Sequence, residues 1–153
     1  MKRYISRTIG AVVFASLIVL GFGTMARAQE ECSNATLQGS YGFSFSGEER
    51  RPGGVRNVPV AGVGRISYDG AGNFEAKQTL SSGGSSFSFE FRGTYSVDAD
   101  CTGTQTLVDT LSGEEFGHLA IVIVDDGREV RVTQTDPGVT LVGNEKKQFS
   151  SRP

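Results

Sequence analysis

The chain contains no tryptophan, one histidine and two cysteines in 153 residues, and each scarcity excludes something. With His118 as the lone histidine and no G-x-S-x-G sequence, a serine-hydrolase triad has no support. With only Cys32 and Cys101, and no C-x-x-C pair, a zinc site or dithiol redox motif lacks its ligands. No segment after residue 28 keeps an apolar helical period for three turns, which removes the helical fold classes. It also removes the helix N-terminus that would receive a phosphate. Gly62 and Gly64 open a G-x-G with Ser67 in the third glycine's place, and Gly70 and Gly72 open another with Glu75 there. A nucleotide-binding loop is therefore set aside.

The long apolar run that does exist lies at the start. Lys2, Arg3 and Arg7 precede an uncharged stretch from Ala11 to Gly23, and Ala26-Arg27-Ala28 follows as an A-x-A cleavage site. This three-part pattern is that of a secretory signal peptide over residues 1–28, its apolar run short for a spanning helix. Residues 29–153 then form a single domain, in the periplasm or outside the cell, with no membrane span. The leader holds four of the 15 basic residues and no acids, which leaves 11 basic against 17 acidic residues, a net charge of −6. Such a balance disfavours nucleic acid and anionic membrane surfaces as partners. In an exported chain the two cysteines read as a disulfide between Cys32 and Cys101. Closing so long a loop contributes about 4 kcal/mol on the chain-entropy account. Asn34-Ala35-Thr36 fits the glycosylation pattern, a single weak match.

What fills the rest is period-two alternation in Gly, Ser, Thr, Val and Phe, the chemistry of strands and turns. Eight strands are predicted, over 37–47, 58–69, 73–81, 86–97, 103–112, 116–125, 128–136 and 139–146. Connectors such as "DGAGN", "SGGSS" and "DDGR" are short, so sequence neighbours should pair as hairpins. The expected fold is all-β: a small antiparallel up-and-down barrel of about eight strands, closed so that no edge is exposed. Alternation sends Tyr41, Phe43 and Phe45 inward from strand one, and Val58, Val60, Gly62, Gly64, Ile66 and Tyr68 from strand two. Strand three adds Phe74, Ala76, Gln78 and Leu80, and strand four adds Phe87, Phe89, Phe91, Gly93, Tyr95 and Val97. Glycines among these rings either open a cavity or seat neighbouring rings. Strand six is apolar on both faces and calls for a cover, from the N-terminal segment, a loop or a second copy in a homo-oligomer. Arg65, Glu75, Lys77, Glu90 and Arg92 face outward at mid-strand, which is costly against lipid and argues against an outer-membrane barrel.

Candidate chemistry is sparse. Asp98, Asp100, Thr102, Gly103 and Asp109 match an EF-hand spacing, but the flanks are strands, so Asp-bonded turns are the expectation and no metal or cofactor is assigned. His118 is expected to pack or sit at a rim. Glu48 with Glu49, and Glu114 with Glu115, read as solvated pairs, and no carboxylate falls on the inward faces of strands one to four. The candidate ligand-binding set is Tyr41, Phe43, Tyr68, Gln78, Phe89, Phe91 and Tyr95: aromatic surface, with hydroxyls and one amide to orient polar atoms. No catalytic residue is named.

The stretches "GVGRISYDGAGNF", "GTYSVDADCTGT" and "IVIVDDGREVRVTQTDPG" resemble those of small exported bacterial proteins with allene oxide cyclase-like barrels, a calycin-type fold. The resemblance runs from about Cys32 to Lys147. Plant allene oxide cyclases act on a fatty-acid epoxide inside such a barrel, through a buried glutamate and a positioned water. The resemblance transfers no glutamate here, because Glu75 and Glu90 lie on outward faces. Avidin-like barrels share the shape, but their biotin sites rely on tryptophans. The leading expectation is an exported, non-enzymatic barrel holding an apolar or amphipathic small molecule. The alternatives are a cyclase or isomerase of the allene oxide cyclase type, which needs a lumenal carboxylate, and an envelope interaction protein working through its outer surface.

Overall fold

A computed structural model of the chain describes residues 31–50, 53, 54 and 56–148. The predicted signal peptide lies outside the described residues. Eight strands, each paired antiparallel with its neighbours in sequence, close into one barrel through β1 and β8. They are β1 (Gln38–Arg50), β2 (Asn57–Asp69), β3 (Asn73–Ser82), β4 (Ser85–Val97), β5 (Thr102–Asp109), β6 (Glu115–Val124), β7 (Glu129–Gln134) and β8 (Val139–Lys147). The predicted all-β barrel and its eight strands are thus present, with shifts of a few residues at their ends.

Turn chemistry sets the register. Gly83 and Gly84 both take positive φ between Ser82 and Ser85, which gives the two-residue hairpin whose twist matches the strands. In the "DGAGN" turn, Asp69 Oδ1 accepts from the backbone N–H of Ala71 (2.7 Å) and Asn73 (2.9 Å), and Oδ2 accepts from Asn73 Nδ2 (2.7 Å). Those bonds hold the carboxyl down at about 2. Asp100 accepts from Thr102 and Asp109 from Leu111 and Ser112, so two of the three EF-like acids are spent on turns.

The two ends of the barrel differ. At the base, a short 3₁₀ turn (Asn34–Thr36) and Leu37 plug the opening, and Leu37 is fully buried. Tyr95 donates its hydroxyl to the carbonyls of Asn34 (3.0 Å) and Leu37 (2.9 Å), Val97 N–H donates to Asn34 Oδ1 (2.8 Å), and Tyr41 donates to Gly127 O (2.5 Å). Asn34 is therefore a structural residue of the plug. The predicted Cys32–Cys101 disulfide ties the plug to the β4–β5 turn, with a Cα–Cα distance of 5.0 Å. At the other end, no comparable plug fills the mouth among the described residues.

Inward and outward faces of β1–β4 follow the alternation. Gly64 faces the Phe43 ring, Gly62 the Phe45 ring and Gly93 the Phe74 ring, each so closely that a Cβ would collide. These glycines seat rings against the wall. The charged residues expected outside are outside, and Lys77 pairs with Glu90 at 3.3 Å in solvent. The expected cover over β6 is not found among the described residues: Val122 is 45% exposed, and the N-terminal segment lies at the base instead.

Candidate functional site

Above the plug lies a cavity of about 240 Å³ that opens at the mouth. Its walls are mostly apolar: Phe43 and Phe45 from β1, Val60 and Ile66 from β2, Leu80 from β3, Phe89 and Phe91 from β4, and Leu119, Val132 and Leu141 from the later strands. Four of the seven predicted ligand residues line it, namely Phe43, Gln78, Phe89 and Phe91. The other three lie beneath it. Tyr41 and Tyr95 spend their hydroxyls on the plug, and Tyr68 spends its own on a carboxylate. Among the described residues, these phenols support the floor and do not line the cavity.

That carboxylate is the feature sequence reasoning missed. Glu145 on β8 is 4% exposed and lines the cavity from inside. Tyr68 Oη donates to Glu145 Oε2 at 2.6 Å, and Gln105 Nε2 donates in turn to Tyr68 Oη at 2.5 Å. No Lys, Arg or His pairs with Glu145 among the described residues. Burial without a counter-ion pushes its carboxyl up to about 7, partly offset by the bonds from Tyr68 and Gln105. Tyr41 is pushed to about 12 by burial and by Glu145, and Tyr68 is raised well above its ordinary value for the same reasons.

The signal that would have found Glu145 is parity. Val139, Leu141 and Gly143 alternate inward, and the next place is residue 145. A similar count corrects Glu49. Strand one runs on to Arg50 instead of ending at Gly47, so Glu49 is an inward residue of the mouth, where Ser82 Oγ donates to it at 2.7 Å. The reading of Glu49 as a solvated loop residue is overturned, and so is the inward face without carboxylates. The glutamates at 75 and 90 are outward and exposed, as expected.

Two further residues shape the mouth. Phe116 stands where β6 slips register: Leu107 opposes Gly117 but Val108 opposes Glu115. The unpaired Phe116 turns toward the lumen and meets Phe91 edge-on at 5.6 Å and Phe89 at 6.2 Å between centroids. Gln78 is 7% exposed, lines the cavity, and its side-chain amide has no hydrogen-bond partner among the described residues. His118 sits on the outer rim, its Nδ1 2.8 Å from Asp136 Oδ1, which raises its pKa. Its side chain is half exposed and outside the cavity lining.

A larger concavity, about 980 Å³, lies outside along β1–β3, β7 and β8. It is shallow, walled by small residues such as Ser44, Ala61 and Ser81, and Glu129 and Arg131 there engage each other. The lumen, with its enclosed walls and buried carboxyl, is the better site.

The sequence matches no protein-family model and no curated protein. Among solved structures it is similar to one described as the de novo design of a fluorescence-activating beta barrel, at 16% identity and a TM-score of 0.47. The match covers 74% of this chain and 94% of that one. Nothing about a ligand of this chain follows from it.

Proposed function

We propose that the protein is an exported, non-enzymatic barrel that binds a small apolar or amphipathic molecule in its lumen. The carrying observation is the cavity: aromatic and aliphatic walls, an open mouth, and a few polar groups gathered at buried positions. A cavity of roughly 150 Å³ holds benzene, so about 240 Å³ suits a ligand of about ten non-hydrogen atoms. Export is supported by the leader pattern and by the disulfide, which belongs to oxidising compartments.

Native mass spectrometry of the protein from its own host should retain a small mass, lost in a cavity-filling Val132→Phe variant. In parallel, 2-phenylethanol should raise the melting temperature of the parent and not of Val132→Phe. No retained mass together with no shift, or equal shifts in both proteins, removes the lumenal reading.

Glu145 favours one second reading, a cyclase or isomerase of the allene oxide cyclase type. Such an enzyme needs a lumenal carboxyl able to exchange a proton near neutrality, and Glu145 fits that need. A long-chain fatty-acid epoxide exceeds about 240 Å³, so much of its chain would project from the mouth. Turnover of such an epoxide, abolished in Glu145→Gln, would replace the binding reading with this one.

A further inference from the structure

On the lumenal reading, on which this inference rests, the charge of the walls decides which polar group the ligand carries. The cavity's charged lining is of one sign. Glu145 stands among its buried lining and Glu49 at its mouth, and no Lys, Arg or His lines it among the described residues. The rings of Phe43, Phe89, Phe91 and Phe116 present π-faces and edges to the space between. Gln78, on β3 and so three strands round from Glu145 on β8, offers the cavity an amide with no protein partner among the described residues, which can accept or donate. A ligand carboxylate would meet Glu145 with like charge and no cation to answer it. An ammonium would meet a carboxylate acceptor in a low-dielectric setting with aromatic walls.

We propose that the lumen selects a small amphiphilic amine, with its ammonium on Glu145 and its apolar body against Phe43, Phe89, Phe91 and Phe116. Gln78 gives a second, uncharged hydrogen-bonding point. The choice distinguishes amines from both neutral and anionic molecules of the same size, and it makes binding proton-linked. The groups facing Glu145 are few. Tyr68 of β2 and Gln105 of β5 bond in its network, Tyr41 of β1 lies nearby, and its cross-strand neighbours Phe43 and Val130 are apolar. The phenols stay neutral to well above pH 8, since burial raises Tyr41, Tyr68 and Tyr95 alike. An alkylamine is charged throughout this range. Glu145 alone therefore changes state, and the amine displaces its proton.

The test uses the oxidised protein and three isosteric probes, 2-phenylethylamine, 2-phenylethanol and phenylacetate, by calorimetry at pH 6 and pH 8. At pH 8 the amine should bind at least tenfold tighter than the alcohol, and phenylacetate weakest. Between pH 6 and pH 8 amine affinity should rise about tenfold, the change in the ionised fraction of a group with pKa about 7. Glu145→Gln should erase both the pH dependence and the preference for the amine. If that variant fails to fold, the pH series on the parent decides alone. Binding of the alcohol that equals or exceeds the amine overturns the amine assignment and leaves the lumenal site standing. Binding of none of the three removes both.

Discussion

Tyr68 and Glu145, 77 residues apart, meet inside the barrel at 2.6 Å, with the phenol donating to the carboxylate. The contact spans two elements that are both neighbours of β1, so it braces the lumen across that strand. It is also the middle of a chain, because Gln105 donates to the same phenol. Buried, linked groups of this kind hold each other in place and fix one protonation pattern.

Removing the middle member should show this. Tyr68→Phe keeps the ring that packs edge-on against Tyr41, Tyr95 and Phe74 at 5.0–5.8 Å. It deletes the hydroxyl, leaving Gln105 without its Tyr68 acceptor and Glu145 without its Tyr68 donor. The expected loss is about 1–3 kcal/mol in denaturant unfolding. The Glu145 carboxyl should rise further, because the Tyr68 bond lowers it, and a carbon-detected NMR titration of the side chain would read the shift. An unchanged titration would mean that burial alone sets the value.

Glu145 also predicts how stability varies with pH. Its carboxyl is raised to about 7 in the fold, against an ordinary value near 4.5 when unfolded. The folded state therefore binds the proton more tightly, and its contribution is fully present below about pH 4. It is lost as pH rises through about 7, a fall of about 3 kcal/mol. His118, raised by Asp136, acts in the same direction, so the comparison must be with Glu145→Gln, which keeps His118. Chemical denaturation at pH 5 and pH 8 should show the parent falling by about 2–3 kcal/mol more than the variant. Equal slopes would contradict the buried, unpaired carboxyl.

Much of the architecture is legible from alternation and turns. Tyr41, Phe43 and Phe45 repeat every second residue, and so do Phe87, Phe89 and Phe91, while "SGGSS" and "DDGR" mark where the chain reverses. Glu145 escapes because it sits in "GNEKKQ", where the apolar half of the pattern has faded and every residue reads as solvated. Only the count from Val139 exposes it. Glu49 escapes for a like reason, in a charged run that hides the last turn of alternation in β1. Phe116 is of another kind: its inward aim comes from a register slip, which exists only in the pairing of β5 with β6. Tyr41 and Tyr95 were legible as inward residues but not as residues of the floor, since their partners Gly127, Asn34 and Leu37 are set by the closed base.

The plug should depend on its tether. Cys32 and Cys101 close a separation of 69 residues, worth about 4 kcal/mol on the chain-entropy account. Reduction, or Cys32→Ser with Cys101→Ser, should lower stability by about that amount. Hydrogen exchange should rise first at Val97 and Leu37, whose backbone groups bond into the plug. Uniform exchange across all eight strands would mean that the disulfide acts only on global stability.

Gln78 carries the prediction that separates binding from packing. Its amide opens onto the cavity without a protein hydrogen-bond partner among the described residues, where no buried polar side-chain atom is left unsatisfied, so water or a ligand in the lumen can meet it. Its neighbours across the sheet, Gly64 and Phe89, are apolar, so leucine has a compatible setting. Gln78→Leu should therefore change unfolding free energy by less than about 1 kcal/mol, since no protein hydrogen bond is lost. The same variant should weaken a ligand with a second polar group, such as tyramine, about three- to tenfold, the worth of one neutral hydrogen bond, and leave toluene and 2-phenylethylamine binding unchanged or improved. A polar side chain that adds little to the empty barrel and strengthens the occupied one is a group kept for the ligand. A variant less stable by about 2 kcal/mol or more, or one that binds tyramine and 2-phenylethylamine in the same ratio as the parent, would return Gln78 to the packing.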